Sequence, residues 1–380
     1  KIFDKKNAEK LFGKNLNISA SQLEKFNLCR FSYFCNYGLN VRERQRAEIN
    51  PMQYGTIVHY ILERFFGEYT KEEYLSLEED KLQKIVCAYL AEYAVKYFGE
   101  EQLESNSFTY RLKTILDNVM HLMKHIMEEL SQSEFFVADC ELKIGEDIPS
   151  YTIVLPDGHK IAVCGSVDRV DIMQRADITY LRIIDYKTGT KQFKLSDILY
   201  GINLQMLLYL HSIEASGGDK YGEIVPAGIL YMPATVPYIS SDSLKSIDKL
   251  PDELNKKLKM NGLLLKDTEI IHGMDKTDVA TYIPVKIKAG EPVSSTSLAT
   301  LAEFGKIFKK VDMLIAEMGK NIYNGNIEAK PLKGGHDSCE YCPYDSVCAY
   351  RQSNPITCFS VDNKTVIEEI TNEINGKEEE

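Results

Sequence analysis

An apolar run that ends in charge is the strongest constraint on how this chain can fold. Residues 180–186 read Tyr-Leu-Arg-Ile-Ile-Asp-Tyr and lead straight into Lys187, Thr188 and Gly189. A run this short and this rich in β-formers reads as a strand. Alternate residues of a strand share a face, so Asp185 and Lys187 project together while Tyr186 turns the other way. Three earlier runs, 135–144, 151–155 and 160–172, are also short, β-rich and separated by Gly, Pro and Asp. With 180–186 they read as a meander of strands.

The flanks have a different period. Ser19-Ala20-Ser21-Gln22 is a helix-start signature, and an aromatic-rich helix follows it through Tyr37. Residues 55–66 read as a second amphipathic helix, and helical patterns continue to about residue 130. Beyond the strands, 196–213 returns to helix and 223–232 is one more strand, closing at Pro233. Residues 234–295 are polar and lysine-rich, with strand signal at 281–287. Leu301, Phe304, Ile307, Phe308, Val311 and Ile315 mark a helix over 298–323. The order predicts an α/β core behind a helical arm. As one domain over 1–360 it divides into the arm (16–133), a core (134–232) and a C-terminal helix with a cysteine cluster (298–351). Residues 361–380 read as an acidic tail, dispensable for activity.

Charge and cysteine usage narrow the class. The 380 residues carry a net charge of −11, and the seven acids and two lysines of 361–380 account for −5 of it. What remains is still acidic, so any polyanion partner needs a confined basic groove. Arg42, Arg44 and Arg46 form one basic run, and Lys187, Lys191 and Lys194 another; a solvated surface is the plainer account of the first. No apolar run approaches the ~18 residues that span a membrane. The chain opens on Lys1 without a secretory pattern, as expected of a piece of something longer. No G-x-x-x-x-G-K-[ST] phosphate loop occurs, so no ATPase motor is encoded here.

The candidate chemistry gathers around Asp185. A carboxylate beside an ammonium on one strand face suits phosphodiester hydrolysis: a hard metal on the acid, charge stabilisation from the lysine. Asp168 and Asp171, in Gly165-Ser166-Val167-Asp168-Arg169-Val170-Asp171, lie on the preceding strand. Three apart, they face opposite ways, so one of them can share a metal with Asp185. Gln205 and Tyr209 stand four apart on one helix face; a polar role and a merely structural one are equally open. His59 and Glu141 are ambiguous by themselves, since a lone helix histidine is more often core.

Nine cysteines without an export signal argue against a disulfide framework. Cys35, Cys87, Cys140 and Cys164 sit in apolar runs and read as buried small hydrophobes. Cys339, Cys342 and Cys348, three in ten residues, read as a soft-metal site. A fourth ligand must come from elsewhere, which suits an iron–sulfur cluster better than zinc. Loop entropy favours the local Cys358 over the distant Cys29.

Four motifs in order, Gly55-x-x-x-His59, Gly165-x-Val167-Asp168-Arg169-x-Asp171, Asp185-Tyr186-Lys187-Thr188-Gly189 and Gln205-x-x-x-Tyr209, resemble the RecB-type PD-(D/E)xK nucleases. The resemblance implies a restriction-endonuclease-like αβββαβ core with a mixed sheet and a metal-dependent DNA nuclease activity. It implies Mg²⁺ or Mn²⁺ held by His59, Asp168 and Asp185, with Lys187 catalytic and Gln205 and Tyr209 contacting the DNA backbone or bracing Lys187. One cysteine before the core and Cys339-x-x-Cys342-x-x-x-x-x-Cys348 after it resemble the AddB/RexB subunits of bacterial helicase–nucleases. That likeness covers residues 16–351 and does not include the family's helicase-like N-terminal region. It implies a structural [4Fe–4S] cluster on Cys29, Cys339, Cys342 and Cys348, an AddA-like helicase–nuclease partner, single-stranded DNA ends threaded to the site, and a cytoplasmic role cutting the 5′-ended strand in double-strand-break repair and recombination. A free-standing CRISPR-associated iron–sulfur exonuclease and an idle DNA-binding scaffold are the alternatives.

Overall fold

The computed structural model describes residues 5–42, 51–99, 105–189, 192–235, 250–294, 296–348, 350 and 355–378. Arg44, Arg46 and Lys191 of the two basic runs lie outside these. The front third is helical, as its period requires. Ser19 caps the Ala20–Leu28 helix in a full capping box with Gln22. The helix does not run on to Tyr37. Cys29 breaks it by adopting an extended conformation (φ −168°, ψ 118°), and the chain re-enters helix at Arg30–Tyr33 and a π-turn at Phe34–Gly38. The Pro51–Glu68, Glu79–Phe98 and Asn106–Ser131 helices complete the arm.

The strands are β1 (Asn15–Ile18), β2 (Phe136–Ile144), β3 (Thr152–Val154), β4 (Lys160–Val163), β5 (Gly165–Arg175), β6 (Ile178–Lys187), β7 (Glu223–Pro233), β8 (Asn261–Leu265), β9 (Lys286–Lys288), β10 (Glu291–Val293), β11 (Leu298–Ala299), β12 (Leu332–Gly334) and β13 (Ile356–Cys358). The main sheet has the order β11-β8-β7-β6-β5-β2. It is mixed: β2, β5 and β6 run antiparallel in succession, whereas β6 and β7 are parallel. A parallel return needs a crossover, and the Gln205–Ser216 helix supplies it. β6 is therefore central, with Leu181, Ile183, Ile184 and Tyr186 all buried.

The meander expected over 135–186 is split. The run 160–172 divides at Cys164; β4 and β3 join β1 in a separate three-stranded sheet, and only Gly165 onward enters the main one. Gly165 is required there, because a Cβ would lie 2.2 Å from the Tyr209 hydroxyl. In the 234–295 stretch β8 forms without an alternating signal, and the strand signal at 281–287 is met at its end by β9, which pairs with β10. β8 sits between β7 and β11 with Leu263 and Leu264 fully buried, so it shows no polar face. A Cβ at Gly262 would fall 2.0 Å from the Ile229 carbonyl oxygen.

One sheet face buries a neutral quartet of charges. Glu129, from the Asn106–Ser131 helix, meets Arg169, Asp171 and Arg182, all with 0% exposure. Arg169 Nε donates to Asp171 Oδ1 (2.6 Å), Arg182 Nε to Asp171 Oδ2 (3.0 Å), and both guanidinium groups reach Glu129. Buried charges persist only when paired and hydrogen-bonded, and these are. Asp171 is thereby committed to holding the helix on the sheet.

The acidic 361–380 stretch is not a tail. Asn363–Glu378 is a helix with Val366 and Ile370 fully buried, and Lys310 of the Leu301–Tyr323 helix pairs with Glu373. Removing it would open the core. Cys87 is exposed, contrary to its reading as a core hydrophobe. No helix among the described residues is long and apolar enough to cross a membrane.

His211 joins the crossover helix to the Leu301–Tyr323 helix, its Nε2 3.0 Å from Asp312 Oδ1. Burial alone would lower its pKa, but the Asp312 and Glu214 carboxylates outweigh burial and raise it to about 9. A raised folded-state pKa stabilises fully below the unfolded value of about 6.5 and is lost as pH rises through about 9. The chain should therefore lose about 3 kcal/mol of stability between pH 6 and pH 10 from this residue. Denaturant titration of wild type and His211→Gln at both pH values checks this: the variant's loss over that interval should be smaller.

Candidate active site and cysteine cluster

Register places the site residues in one row. Arg169 pairs with Ile184 in the β5–β6 ladder, so the next position sets Asp168 opposite Asp185. Cys140 pairs with Arg169 and Leu142 with Val167, which puts Glu141 opposite Asp168. Lateral neighbours in a sheet share a face. Glu141, Asp168 and Asp185 thus line up across three strands, on the face away from the buried quartet. Asp168 is the acid that joins Asp185, and Asp171 is not.

Each group is held. Asp168 Oδ2 accepts the Tyr186 amide at 3.0 Å. Asp185 is 2% exposed; its Oδ1 accepts from Gln205 Nε2 (3.1 Å), and its Oδ2 makes an ion pair with Lys187 Nζ (2.5 Å). Lys187 also lies 5.7 Å from the centre of the Tyr231 ring, which neighbours Asp185 on β7. Tyr186 points to the opposite face, its hydroxyl 3.4 Å from Arg169. Gln205 and Tyr209 divide their roles. Gln205 braces Asp185 rather than Lys187, whereas Tyr209 packs against Gly165, its pKa pushed up to about 12 chiefly by burial.

The Pro51–Glu68 helix brings His59 over this row. Its Nδ1 is 2.7 Å from Glu141 Oε1 and its Nε2 is 3.5 Å from Asp168 Oδ2. The ring stands edge-on to Tyr186 at 5.9 Å. Glu141 takes a left-handed backbone (φ 51°), a cost a non-glycine strand residue bears only where its surroundings hold it, and Ser166 donates to its other oxygen at 2.8 Å. His59, Glu141 and Asp168 form a group of three potential metal ligands within 4.8 Å of one another. No local spacing singles out Glu141; the pairing of β2 with β5 selects it.

The electrostatics favour a cation. Burial first, and then the Asp185 charge, raise Asp168 to about 7. Burial opposes ionisation of both partners in the His59–Glu141 pair, yet their mutual bond raises His59 and lowers Glu141. Three carboxylates face one ammonium and one imidazole. That excess of hard oxygen donors with one nitrogen suits a divalent ion. The site opens on a cleft of about 740 Å³ walled by Gly55, Lys187, Thr188, Lys194, Asp197 and His336.

The cysteines converge from both ends of the chain. Cys29 is buried at the break after the Ala20–Leu28 helix. Burial raises its thiol pKa, while the Ser32, Phe31 and Lys330 backbone groups oppose that rise; Cys348 is close enough to act on it. Cys35, buried as expected, is in turn raised by burial and by Cys342, Cys348 and Cys29. Cys339 follows the Leu332–Gly334 strand, its amide on Asp337 (2.8 Å). Cys358 lies elsewhere, in an apolar cluster with Ile202 and Leu332. The Cys29, Cys339, Cys342 and Cys348 sulfurs form no group within 4.8 Å among the described residues.

A mixed sheet carrying an Asp-x-Lys strand end beside a second acid defines a nuclease fold, and the comparisons agree. The PD-(D/E)XK nuclease superfamily profile matches residues 17–349, and the chain belongs to that superfamily. It is 34% identical over 354 residues to the B-type subunit of the ATP-dependent helicase/deoxyribonuclease of Thermoanaerobacter sp. (strain X514), covering 90% of this chain and 30% of the relative. The counterpart from Clostridium kluyveri (strain NBRC 12016) is 34% identical over 397 residues, covering 100% of this chain and 34% of the relative. The chain thus spans about a third of the length of these curated relatives.

Proposed function

We propose that this chain is the metal-dependent deoxyribonuclease part of a helicase–nuclease, cutting the 5′-ended strand beside an AddA-like partner during double-strand-break repair in the bacterial cytoplasm. The observation that carries this reading is the row Glu141, Asp168, Asp185 with His59 over it and Lys187 on the wall of the adjoining cleft. Asp168, Asp185 and His59, now joined by Glu141, would hold Mg²⁺ or Mn²⁺. When bound, the ion supplies Lewis acidity toward a phosphoryl oxygen and a lowered water pKa. Lys187 positions the attacking water and offsets charge that develops on the phosphorus oxygens. Gln205 fixes the Asp185 carboxylate, and the Tyr186 amide fixes that of Asp168. Cys29, Cys339, Cys342 and Cys348 would carry a structural [4Fe–4S] cluster. Backbone groups around Cys29 oppose the rise in its thiol pKa, which suits a thiolate ligand, and four thiolates around a cluster stand farther apart than around one ion.

End-labelled linear DNA tests the reading. Cleavage should require Mg²⁺ or Mn²⁺, stop with chelator and shorten the 5′-ended strand. Cleavage that survives chelation, or none with either metal, overturns it.

A further inference from the structure

The sheet register extends the catalytic row toward a second cleft. Asp185 pairs with Tyr231 on β7, and Tyr231 with Asn261, the first residue of β8. Two strand spacings put Asn261 about 10 Å from Asp185, at the same end of the sheet. The Phe193 amide donates to Asn261 Oδ1 at 2.7 Å, which ties the Gln192–Lys194 wall of the catalytic cleft to that point. Lys259 and Met260 immediately precede Asn261, and there they line a separate cleft of about 740 Å³ with Lys256, Lys286 and Lys288.

The lysines of this cleft differ in role. Lys259 is half-buried, and its ammonium donates to the Ala280 (2.6 Å) and Val285 (3.0 Å) carbonyls, so it secures the floor. Lys256 on the Leu250–Leu258 helix and Lys286 and Lys288 on β9 are exposed. Lys286 and Lys288 are two apart and share a strand face. Glu291 stands opposite Lys288 in the hairpin and accepts from Thr268 (2.7 Å). In a chain of net charge −11, ammonium groups set on two walls of a cleft beside a phosphodiester-cutting site make a local positive field that a neutral or cationic ligand would not use.

We propose that this lysine cleft is a track for the phosphate backbone of single-stranded DNA, holding the strand a few nucleotides from the bond cut at Asp185. The proposal rests on the nuclease reading of the site, but its test reads binding, not cutting. Fluorescence anisotropy of a labelled 30-nucleotide DNA should be followed against salt in EDTA. The Lys256→Gln/Lys286→Gln/Lys288→Gln variant gives up three ammonium–phosphate pairs, which should reduce the log–log salt slope by about 2 and weaken binding about a hundredfold at 0.1 M salt. A charge-matched control, Lys81→Gln/Lys84→Gln/Lys113→Gln, removes exposed lysines of the helical arm and should leave the slope unchanged. An unchanged slope in the cleft variant, an equal fall in the control, or a wild-type chain that binds no single-stranded DNA overturns the proposal. A wild-type chain that binds DNA with the expected lysine dependence but cuts none upholds the track and overturns the catalytic reading.

Discussion

Asp185→Ala should abolish DNA cleavage, by roughly a thousandfold or more, without unfolding the chain. The carboxylate is buried at 2% exposure, takes the Gln205 amide and pairs with Lys187, so on the proposed reading its loss would remove a metal ligand and free the lysine together. The stability effect has the opposite sign. Asp185 helps to raise Asp168 to about 7, a repulsion between buried acids that folding must overcome. Removing one acid relieves it, as at other sites where function is held against stability. Thermal unfolding should accordingly show an unchanged or higher midpoint. Lys187→Ala should cost roughly a hundred- to a thousandfold in kcat with little change in DNA affinity, because its ammonium acts on charge that appears in the transition state. Single-turnover cleavage with matched binding isotherms measures both. Retained activity in either variant would remove these residues from the chemistry.

Cys29→Ala should bleach a brown protein and destabilise it severely. Cys339 follows Cys29 by 310 positions. A cluster that joins them closes a loop of that length, which the chain-entropy estimate values at about 5 to 6 kcal/mol. A cluster completed by Cys358, ten positions after Cys348, would forgo that long closure and stabilise by about 3 kcal/mol at most. The two ligand sets therefore differ in stability as well as colour. The anaerobic visible spectrum near about 400 nm, iron and sulfide content, and the unfolding midpoint should all fall in Cys29→Ala and persist in Cys358→Ala. Bleaching in Cys358→Ala alone would assign the cluster to the local set. Zinc without iron or sulfide would overturn the cluster itself.

The two ligand sets separate what neighbouring residues favour from what the fold brings together. Loop entropy alone favoured Cys358, because it counts the cost of closure and not what the fold has already spent. Once the helical arm packs on the sheet, the Cys29 break and the Cys348 segment are neighbours, and Cys358 is enclosed with Ile202 and Leu332. The tail misled for a related reason. Composition registers its acids, but Val366 and Ile370 recur four apart and find the Leu301–Tyr323 helix only in three dimensions.

Periodicity along the chain determined which residues share a face. The pairing of Asp185 with Lys187, the opposition of Asp168 to Asp171, and the cap at Ser19 follow from backbone geometry over a few residues. Tertiary structure decided which face is which. Glu129 comes from a helix some forty residues upstream, claims Asp171 for a buried quartet and leaves Asp168 to the cleft. Strand pairing brings in Glu141, and the unanticipated β8 carries the lysine cleft to the same sheet end. Side-chain alternation is a property of one strand. The face that meets solvent, metal or core is set by what packs on it, and that information lies in contacts between distant segments.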